Sequence, residues 1–558
     1  MKITKILIEN YKSIKLLELE PNNGLNAFIG ENSVGKSNIF SALNWVLGPV
    51  YPTFNGTKHE DHYLGNPDNK ILIQIHFDDG NCLELNECST DYYGNIKPCL
   101  NFNKKPYVKD EIRYQYCSAY LDINRKIIDY LPSNRWSLLG RFLLDVNNLF
   151  LNTPDLKEKF EEELKRIRDE LLFSVKDSRN VAIMHEFIKI LKQEGARQLN
   201  KSPDEFNVDL TLYNPWDFYR TLHIIVNDKD SGLSFPASEM GMGIQASLSV
   251  AILQAYSKLK LANNTPIFID EPELFLHPQA QRNFYKVLRE LVESGVQVFY
   301  TTHSPCFLSA GHFDEIFLVR KSPELGTYIK NASTDKFIQD LKERKNIDTT
   351  KEDLLFHYQN AYELTGDTQK ANEAFFAKKI ILVEGQSESL ILPYFFDLYG
   401  YDYIKEGVSI VECGSKGELD RFYRLYNEFG IPCFIIFDGD KQLDSTGERQ
   451  SNINKNKEIL SLFQENSDYP DGTVHEKYLG FEYRLEDNLN FQVSGNVKGL
   501  KLFKKVKENI TELENLPSWV EEVILKIQVL GINQEESELP ENNIEEGEWN
   551  WGDDEIPF

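Results

Sequence analysis

The loop Gly30-Glu-Asn-Ser-Val-Gly-Lys36-Ser37 constrains the fold of this 558-residue chain more than any other segment. It follows an apolar run at 26–29 and precedes a helix-periodic run at 37–47, the strand–loop–helix context that the G-x-x-x-x-G-K-[ST] pattern requires. Glycines in such a loop let backbone N–H groups approach phosphate oxygens, and the helix N-terminus favours the negative charge. The sequence therefore predicts an α/β unit whose first loop binds nucleotide phosphates.

Individual residues of this loop have separate predicted roles. Lys36 is expected to reach the β- and γ-phosphates, and Ser37 is expected to ligate Mg²⁺. The other predicted nucleotide contacts are Gly30, Asn32, Gly35 and Asn38.

A second apolar run, at 266–269, ends in the carboxylates of Asp270 and Glu271. Asp270 is predicted to hold Mg²⁺ through water, and Glu271 to polarise the attacking water. His303 follows the apolar run at 296–300 and is expected to sense the γ-phosphate. A lone histidine at a strand end also has a purely structural interpretation, which the sequence leaves open.

These pieces resemble the ABC-type ATPases, in the branch that contains the RecF- and SMC-like proteins. The stretch DEPELFLHP at 270–278 is similar to the extended acidic motif of that branch. The expected LSGGQ signature is absent, and its counterpart is the segment with Ser238, Gly241 and Gly243. The resemblance implies that this segment meets the γ-phosphate bound by a second subunit, so that a complete ATP site needs two chains.

A second set of carboxylates follows apolar runs in the C-terminal half. Glu384 and Glu388 lie four residues apart just after the run at 379–383, so they would share one helix face. Asp438 and Asp440 end another apolar run two residues apart and are expected to point the same way. Carboxylates that converge at strand ends suit Mg²⁺ or Mn²⁺. Two such ions can activate a water and stabilise the leaving oxygen of a phosphodiester.

Together these segments, with the glycine-containing stretch at 413–417, resemble the Toprim domain, a Mg²⁺ site shared by topoisomerases, primases and some nucleases. An ABC-type ATPase followed by Toprim is similar to the OLD (overcoming lysogenisation defect) family of nucleases, over roughly residues 1–510. The resemblance implies metal ligation by the four carboxylates above and by Glu486, for which Glu482 is a competing choice. It also implies that Lys501 stabilises transition-state charge.

The resemblance implies an ATP-regulated, Mg²⁺- or Mn²⁺-dependent DNA endonuclease or nickase. Family members of this layout often serve in anti-phage defence, alone, with a helicase, or with a retron's reverse transcriptase and its DNA. The alternative is a RecF- or SMC-like DNA-repair ATPase whose Toprim-like fold is structural. Topoisomerase or primase chemistry is disfavoured, because 500–558 cannot hold a gated domain with a nucleophilic tyrosine and the cysteine spacing gives no zinc module.

The order of segments predicts a four-part organisation of the α/β chain. An ABC-type ATPase domain at 1–330 contains a helical insertion at 155–199, and a helical linker follows at 331–375. A Toprim domain at 376–534 precedes an acidic, disordered tail at 535–558. The insertion is interpreted either as a solvated helical hairpin or as a dimer contact, and at least a homodimer is expected.

Charge and cysteine content restrict the environment and the partners. The tail supplies −10 of the net charge of −26, so the first 534 residues still carry −16. A uniformly basic nucleic-acid binder is excluded, although local basic grooves are not. The seven cysteines are scattered without a CxxC pair, which argues against a disulfide framework and suits a reducing cytoplasm. No long apolar run and no signal-peptide pattern occurs, so no membrane association is expected.

The last seven residues, Gly552-Asp-Asp-Glu-Ile-Pro-Phe558, resemble the acidic tip of bacterial single-stranded DNA-binding proteins. A terminal phenyl ring can fill an apolar pocket, its α-carboxylate can pair with an Arg, and the preceding acids can face a basic rim. The tip is therefore predicted to bind proteins that read such tails, or to occupy a basic groove of this chain. A merely solubilising tail is the plainer alternative.

Overall fold

The computed structural model describes residues 1–48, 50–91, 93–121, 138–198, 202, 224–227, 232–258, 265–365, 367–445, 447–493 and 497–531. The acidic tail predicted at 535–558 lies outside these residues. Contacts divide the chain into two compact units. One comprises Met1–Leu308 and Asp314–Asn331, and the other comprises Ser309–Phe313 and Ala332–Phe558.

The first unit is built on a large mixed sheet. Its first eight strands are β1 Ile3–Tyr11, β2 Ile14–Leu19, β3 Leu25–Ile29, β4 Leu72–Phe77, β5 Cys82–Asn86, β6 Cys99–Phe102, β7 Lys105–Pro106 and β8 Ala119–Leu121. The next two strands along the chain, β9 Ile225–Asn227 and β10 Ser234–Pro236, form a separate hairpin. The large sheet continues with β11 Ile267–Ile269, β12 Val298–Thr301, β13 Ile316–Ser322 and β14 Gly326–Lys330. The described strands lie in the order β7-β6-β5-β4-β1-β2-β14-β13-β3-β12-β11-β8. The run from β13 to β8 is parallel, and the remaining pairs are antiparallel.

The first unit also contains several helices, and the one that follows β3 packs on the sheet. In chain order they are α1 Lys36–Leu47, α2 Asp110–Gln115, α3 Leu138–Leu151, α4 Pro154–Ser174, α5 Ile183–Gln198, α6 Met242–Lys258 and α7 Pro278–Glu293. Apolar residues of α1 recur at helical spacing and are buried. Among them, Phe40 packs edge-on against Phe28 of β3 and Phe268 of β11, with ring centroids 5.4 and 5.6 Å apart. This packing fixes α1 against the two strands that lead into the predicted nucleotide site.

The second unit has a four-stranded parallel sheet. Its strands are β15 Lys379–Val383, β16 Val408–Glu412, β17 Cys433–Asp438 and β18 Tyr478–Phe481, in the order β16-β15-β17-β18. The helices are α8 Thr334–Lys345, α9 Lys351–Leu364, α10 Thr368–Glu373, α11 Gln386–Tyr399, α12 Lys416–Glu428, α13 Arg449–Ser461, α14 Leu485–Asn488, α15 Lys498–Asn509 and α16 Ser518–Val529. Because all four strands run parallel, their carboxyl ends share one edge of the sheet.

Helices α8 to α10, which fall in the segment predicted as a linker, group with the second unit. Tyr358 of α9 packs against Phe313 and Phe337, with ring centroids 4.7 and 5.6 Å apart. Tyr426 of α12 donates a hydrogen bond to Ala371 O at 2.7 Å. These contacts join the helices to α12 and so to the parallel sheet.

The predicted α/β class, with a nucleotide-type unit followed by a second parallel-sheet unit, is confirmed. Along the residues with a described structure, no helix combines the length and the apolar character needed to cross a bilayer.

Candidate nucleotide and metal sites

The loop between β3 and α1 has the conformation expected from its glycines. Gly30 and Gly35 have φ values of 143° and 111°. A Cβ on either would lie 2.3 Å from Val319 O or from Thr327 Oγ1, so both positions require glycine. The Lys36 side chain curls into the loop, and its ammonium donates to the carbonyls of Gly30 and of the next residue at 2.9 and 2.8 Å. The backbone and the lysine of a phosphate-binding loop are therefore preformed.

Side chains from two other elements support this loop. Thr327 of β14 donates from Oγ1 to Val34 O at 2.7 Å, and its hydroxyl lies 2.8 Å from Ser13 Oγ. Asn38 donates from Nδ2 to Ser13 Oγ at 2.7 Å. Asn38, predicted as a nucleotide contact, therefore hydrogen-bonds to Ser13, one of the two residues that support the loop. Ser13 and Thr327 carry no sequence signal, because Ser13 reaches the loop from the turn between β1 and β2 and Thr327 reaches it from β14.

Asp270 and Glu271 follow β11 directly and lie beside the end of β12. The Thr301 hydroxyl donates to Asp270 Oδ1, and the Glu271 N–H donates to Thr301 Oγ1 at 3.0 Å. Glu271 has a left-handed φ of 46°, a conformation that costs of order 1–3 kcal/mol at a non-glycine residue. Its carboxylate lies 4.0 Å from His303 Nε2. The two acids and the histidine are therefore brought together as predicted.

The charges of this site act on one another. Burial lowers the pKa of Lys36, while the carboxylates of Glu271, Asp270 and Glu273 oppose that change. Burial also lowers the pKa of His303, and the Lys36 ammonium lowers it further. The imidazole is therefore neutral at pH 7 and can donate one hydrogen bond to a phosphate or a water while accepting another.

Glu273 is a site residue that sequence reasoning missed. Its carboxylate accepts from the His303 N–H at 2.6 Å and from Thr302 Oγ1 at 2.9 Å. It therefore ties the loop after β11 to the loop after β12 and fixes the backbone of His303. The signal was available in the DEPELFLHP stretch, which has a third acid two residues after Glu271.

The predicted signature segment forms a turn before α6. Ser238 and Gly241 are exposed, and Gln245 is buried beneath them. Gln245 donates from Nε2 to Met240 O at 2.7 Å and to Ser238 O at 3.2 Å. A Cβ at Gly243 would lie 3.2 Å from Phe275 O, so this segment packs beside the DEPELFLHP stretch. The buried Gln245 side chain thus stabilises the turn from its inner side, while Ser238 and Gly241 are exposed on its outer side.

A cavity of about 690 Å³ adjoins the loop support at Ser13. Its lining includes the basic residues Lys12, Lys58 and Lys321, together with Tyr63. The acidic residues Glu60 and Asp61 line it as well, so the charge of its lining is mixed.

Five predicted carboxylates meet at the carboxyl edge of the sheet in the second unit. Glu384 follows β15, Asp438 ends β17, and Asp440 lies two residues beyond it. Glu388 on the first turn of α11 and Glu486 on α14 are each only 5% exposed. The structure therefore brings together residues that are up to about a hundred positions apart in the sequence.

Mutual repulsion marks this cluster. Burial raises the pKa of Asp438 well above its usual range, and Glu388, Glu384, Asp440 and Glu486 raise it further. Burial likewise raises the pKa of Glu388 to about 8, with added repulsion from Glu384 and Glu486. Each of the other four carboxylates is thus close enough to Asp438 to raise its pKa.

Two lysines oppose this negative charge. Lys416 Nζ lies 2.8 Å from Asp440 Oδ2, and Lys498 Nζ lies 2.7 Å from Glu486 Oε1. Neither lysine was predicted. Lys501, predicted from the resemblance, lies on the same helix as Lys498 and is exposed.

The donor set fits a divalent cation. Glu384 Oε2 and Glu486 Oε2 are buried without a hydrogen-bond partner, and an orphaned carboxylate oxygen of this kind is costly unless a cation meets it. Among the described residues, no three Asp, Glu, His or Cys side chains form a closed metal-binding group, so these carboxylates lie near one another without converging on one point. Glu482, the competing choice for the last ligand, forms an ion pair with Lys441, whereas Glu486 lies within the cluster.

Comparisons with known proteins match both units. A model of the AAA ATPase domain family matches residues 1–110 and 91–308, and a model of the overcoming lysogenization defect protein-like TOPRIM domain matches residues 375–440. The OLD nuclease of Thermus scotoductus is 25% identical over 463 residues, covering 78% of this chain and 82% of that protein.

Two further relatives have similar coverage. The Old nuclease of Escherichia phage P2 is 24% identical over 79% of this chain and 77% of its own length. The endonuclease GajA of Bacillus cereus strain VD045 is 25% identical over 79% of this chain and 75% of its own length.

Proposed function

We propose an ATP-regulated, divalent-metal-dependent DNA endonuclease or nickase activity for this chain, which belongs to the OLD family of ATPase-nucleases. The ATPase domain and the TOPRIM domain correspond to the two units described above. The ATPase domain is proposed to span residues 1–330, a helical linker 331–375 and the Toprim domain 376–534. The cytoplasm is the proposed location.

The carboxylate cluster at the edge of the second sheet carries the nuclease proposal. Burial and mutual repulsion raise the pKa of Asp438 and of Glu388, and bound cations would relieve that repulsion and favour the ionised carboxylates. Two carboxylate oxygens remain buried without a partner after both lysines are placed. This excess of negative charge supports binding of Mg²⁺ or Mn²⁺, and a purely structural Toprim-like domain would have no need of it.

Different residues of the second unit would have different roles in cleavage. When bound, the cations would activate a water and stabilise the leaving oxygen of a phosphodiester. Glu384, Asp438, Asp440 and Glu486 would hold them. Glu388 accepts from the Gly385 N–H at 3.2 Å and so orients the turn that carries Glu384.

Positive charge for the phosphate would come from α15. Lys501 is proposed to stabilise the transition-state charge, and Lys498 lies beside Glu486 at the start of the same helix. Both ammonium groups could neutralise non-bridging phosphate oxygens.

The first unit is proposed to bind and hydrolyse ATP. Lys36 and the loop backbone would hold the phosphates, and Glu271 would orient the attacking water beside neutral His303. The Mg²⁺ ligands would be Ser37 and Asp270. The remaining proposed contacts are Gly30, Asn32, Gly35 and Asn38 from one chain and Ser238, Gly241 and Gly243 from a second chain.

Exposed apolar side chains on the helical insertion support a homodimer. Ile183, Phe187 and Ile190 share one face of α5 and are 50–56% exposed. Ile167 and Phe173 of α4 are 45% and 47% exposed. Apolar residues exposed in this number mark interaction surfaces. Phe187→Glu should therefore convert a dimer into monomers in sedimentation velocity, and a monomeric wild-type chain would refute the dimer.

An anti-phage role with a partner is also proposed. The partner would be a helicase or a reverse transcriptase with its retron DNA, and DNA would be the substrate. The C-terminal tip would dock on proteins that read the tails of single-stranded DNA-binding proteins. Deleting residues 556–558 should abolish capture of such proteins in pull-downs, and unchanged capture would leave the tip as a solubilising end.

Nicking of supercoiled plasmid DNA by the purified chain tests the proposed function. We expect relaxed circles with Mg²⁺ or Mn²⁺ and none with EDTA. If the chain hydrolyses ATP but leaves the plasmid supercoiled with either metal, the repair-ATPase alternative is favoured.

A further inference from the structure

The proposed nuclease site contains one lysine that is almost completely buried. The Lys416 side chain is 4% exposed. Its ammonium donates to Asp440 Oδ2 at 2.8 Å, to Asn452 Oδ1 at 2.8 Å and to Asn456 Oδ1 at 3.3 Å. These three bonds use every donor of the ammonium. Its position is therefore determined by the network and not by solvent.

The same two asparagines hold the backbone of the metal-ligand turn. Asn452 and Asn456 each donate from Nδ2 to Gly439 O, at 2.8 and 2.9 Å. Asp440 has a left-handed φ of 54°, and its N–H donates to Tyr483 O at 2.9 Å. One network thus fixes both the turn and the carboxylate that projects from it.

The helix that carries Lys416 is itself fixed at both ends. Gly414, just before it, has a φ of 81°, and a Cβ there would lie 2.4 Å from Leu364 O. Toward the other end of α12, Arg424 donates to Asp420 at 2.8 Å and to Asp340 of α8 at 3.4 Å. Rigid support of this kind transmits a defined position to the ammonium.

We propose that Lys416 is a positioning residue of the nuclease site, which holds the Asp440 carboxylate in the orientation that receives a divalent cation. The proposal rests on the proposed nuclease function. Lys416 acts through Asp440 and need not touch DNA or the reacting phosphate. Groups that orient a metal ligand typically contribute 10–100-fold to metal affinity.

Binding of Mn²⁺ to the full-length chain, without DNA or nucleotide, tests this role by electron paramagnetic resonance. Lys416→Met keeps the length of the side chain and removes its donors, and we expect the dissociation constant to rise about tenfold or more. In an Asp440→Asn background the same change should have no further effect, because Lys416 acts only through that carboxylate. Wild-type affinity in Lys416→Met, or an equal loss in both backgrounds, would overturn the proposal.

Two further variants separate position from charge and from misfolding. Lys455 is an exposed lysine of α13 that acts on Glu384 through its charge, so Lys455→Met is the control for net charge and should change Mn²⁺ affinity much less than Lys416→Met. A loss equal to that of Lys416→Met would show an effect of net charge and refute positioning. If circular dichroism shows that Lys416→Met is unfolded, Asn452→Ala replaces it in the titration. Weaker binding then supports the proposal, and unchanged binding overturns it.

Failure of this proposal differs from failure of the proposed function. A wild-type chain that binds Mn²⁺ and nicks DNA, with Lys416→Met indistinguishable from it, would refute only the role of Lys416. A wild-type chain that binds no Mn²⁺ would refute both.

Discussion

The two acidic strand-end sites of this chain are built for ligands of opposite charge. In the first unit, Asp270 and Glu271 share their surroundings with a buried lysine, Lys36, and a loop of preformed backbone. In the second unit, five carboxylates face two lysines, and two carboxylate oxygens remain without a partner. The first site is suited to receive a polyphosphate with its cation, and the second to receive bare cations. Similar residues at similar strand ends therefore serve different chemistry, because the local balance of charge differs.

The largest effect is expected for a substitution in the second site, which should reduce DNA cleavage without changing ATP hydrolysis. Asp440→Ala should reduce DNA cleavage at least about a hundredfold, because even groups that only support a metal ligand contribute 10–100-fold. ATP hydrolysis by the same protein should be unchanged, since Asp440 belongs to the second unit. Plasmid nicking and phosphate release measured on one preparation check both statements. Nicking at the wild-type rate would remove Asp440 from the site.

Substitutions in the first unit should impair ATP binding or hydrolysis and leave metal binding in the second unit intact. Lys36→Ala should abolish ATP binding, because the loop loses its only ammonium. Glu271→Gln should bind ATP but hydrolyse it about 10²-fold more slowly or worse, the usual contribution of a general base. Equilibrium binding of a fluorescent ATP analogue and phosphate release distinguish the two variants. Mn²⁺ binding by the nucleotide-free chain should be normal in both, and its loss would show that the sites are not independent.

The pH dependence of stability should reveal the excess charge of the second site. The folded pKa of Glu388 is about 8, above the value of roughly 4.3 in an unfolded chain. Its contribution to stability is therefore complete below the unfolded value and is lost as the pH rises through 8. In EDTA, the unfolding temperature should fall between about pH 4.5 and pH 8, and Glu388→Gln should reduce that fall.

The stability contribution of His303 in the first unit should depend on pH in the opposite direction to that of Glu388. The folded pKa of His303 is lowered, so its contribution to stability is present above the unfolded value of about 6.5 and is lost on acidification.

Added Mg²⁺ should suppress the alkaline loss of stability that the second site causes, because a bound cation stabilises the ionised carboxylates. An alkaline loss that is the same with Mg²⁺ and with EDTA would contradict the assignment of the cluster as a cation site.

The smallest expected effect concerns Glu273 in the first unit. Glu273→Ala removes two hydrogen bonds that fix Thr302 and the backbone of His303. A hydrogen bond to a charged group contributes about 1.5–3 kcal/mol, so we expect ATP hydrolysis to slow about tenfold while ATP still binds. Gln, which keeps one acceptor, should be less impaired than Ala. Equal rates for wild type and Glu273→Ala would show that the contact does not support catalysis.

The sequence alone located the site residues that belong to a recognisable motif and missed those that reach a site from outside one. The P-loop and the Asp438-Gly-Asp440 turn are contiguous and follow apolar strands, so both could be located directly. Lys416 could not be assigned, because its partner Asp440 is 24 residues away and no spacing rule links them. Ser13 and Thr327 escaped for the same reason, since they are separated by 314 residues and meet only through strand order. Lys501 was predicted from the resemblance, whereas the contact of Lys498 with Glu486 is decided by packing and has no sequence signal.

Cleavage by an isosteric variant of Asp438 tests most directly whether the second unit is a metal-dependent nuclease. Asp438→Asn keeps the shape of the side chain and one oxygen to accept from the Leu485 N–H at 2.9 Å, but it replaces the other carboxylate oxygen by an uncharged NH₂ group that cannot ligate a cation. Nicking of supercoiled plasmid over a Mn²⁺ titration, with ATP hydrolysis measured in parallel, is the assay. We expect Asp438→Asn to leave the plasmid supercoiled at every Mn²⁺ concentration while hydrolysing ATP at the wild-type rate. Nicking at the wild-type rate by this variant would contradict the assignment of the carboxylate cluster as the catalytic site.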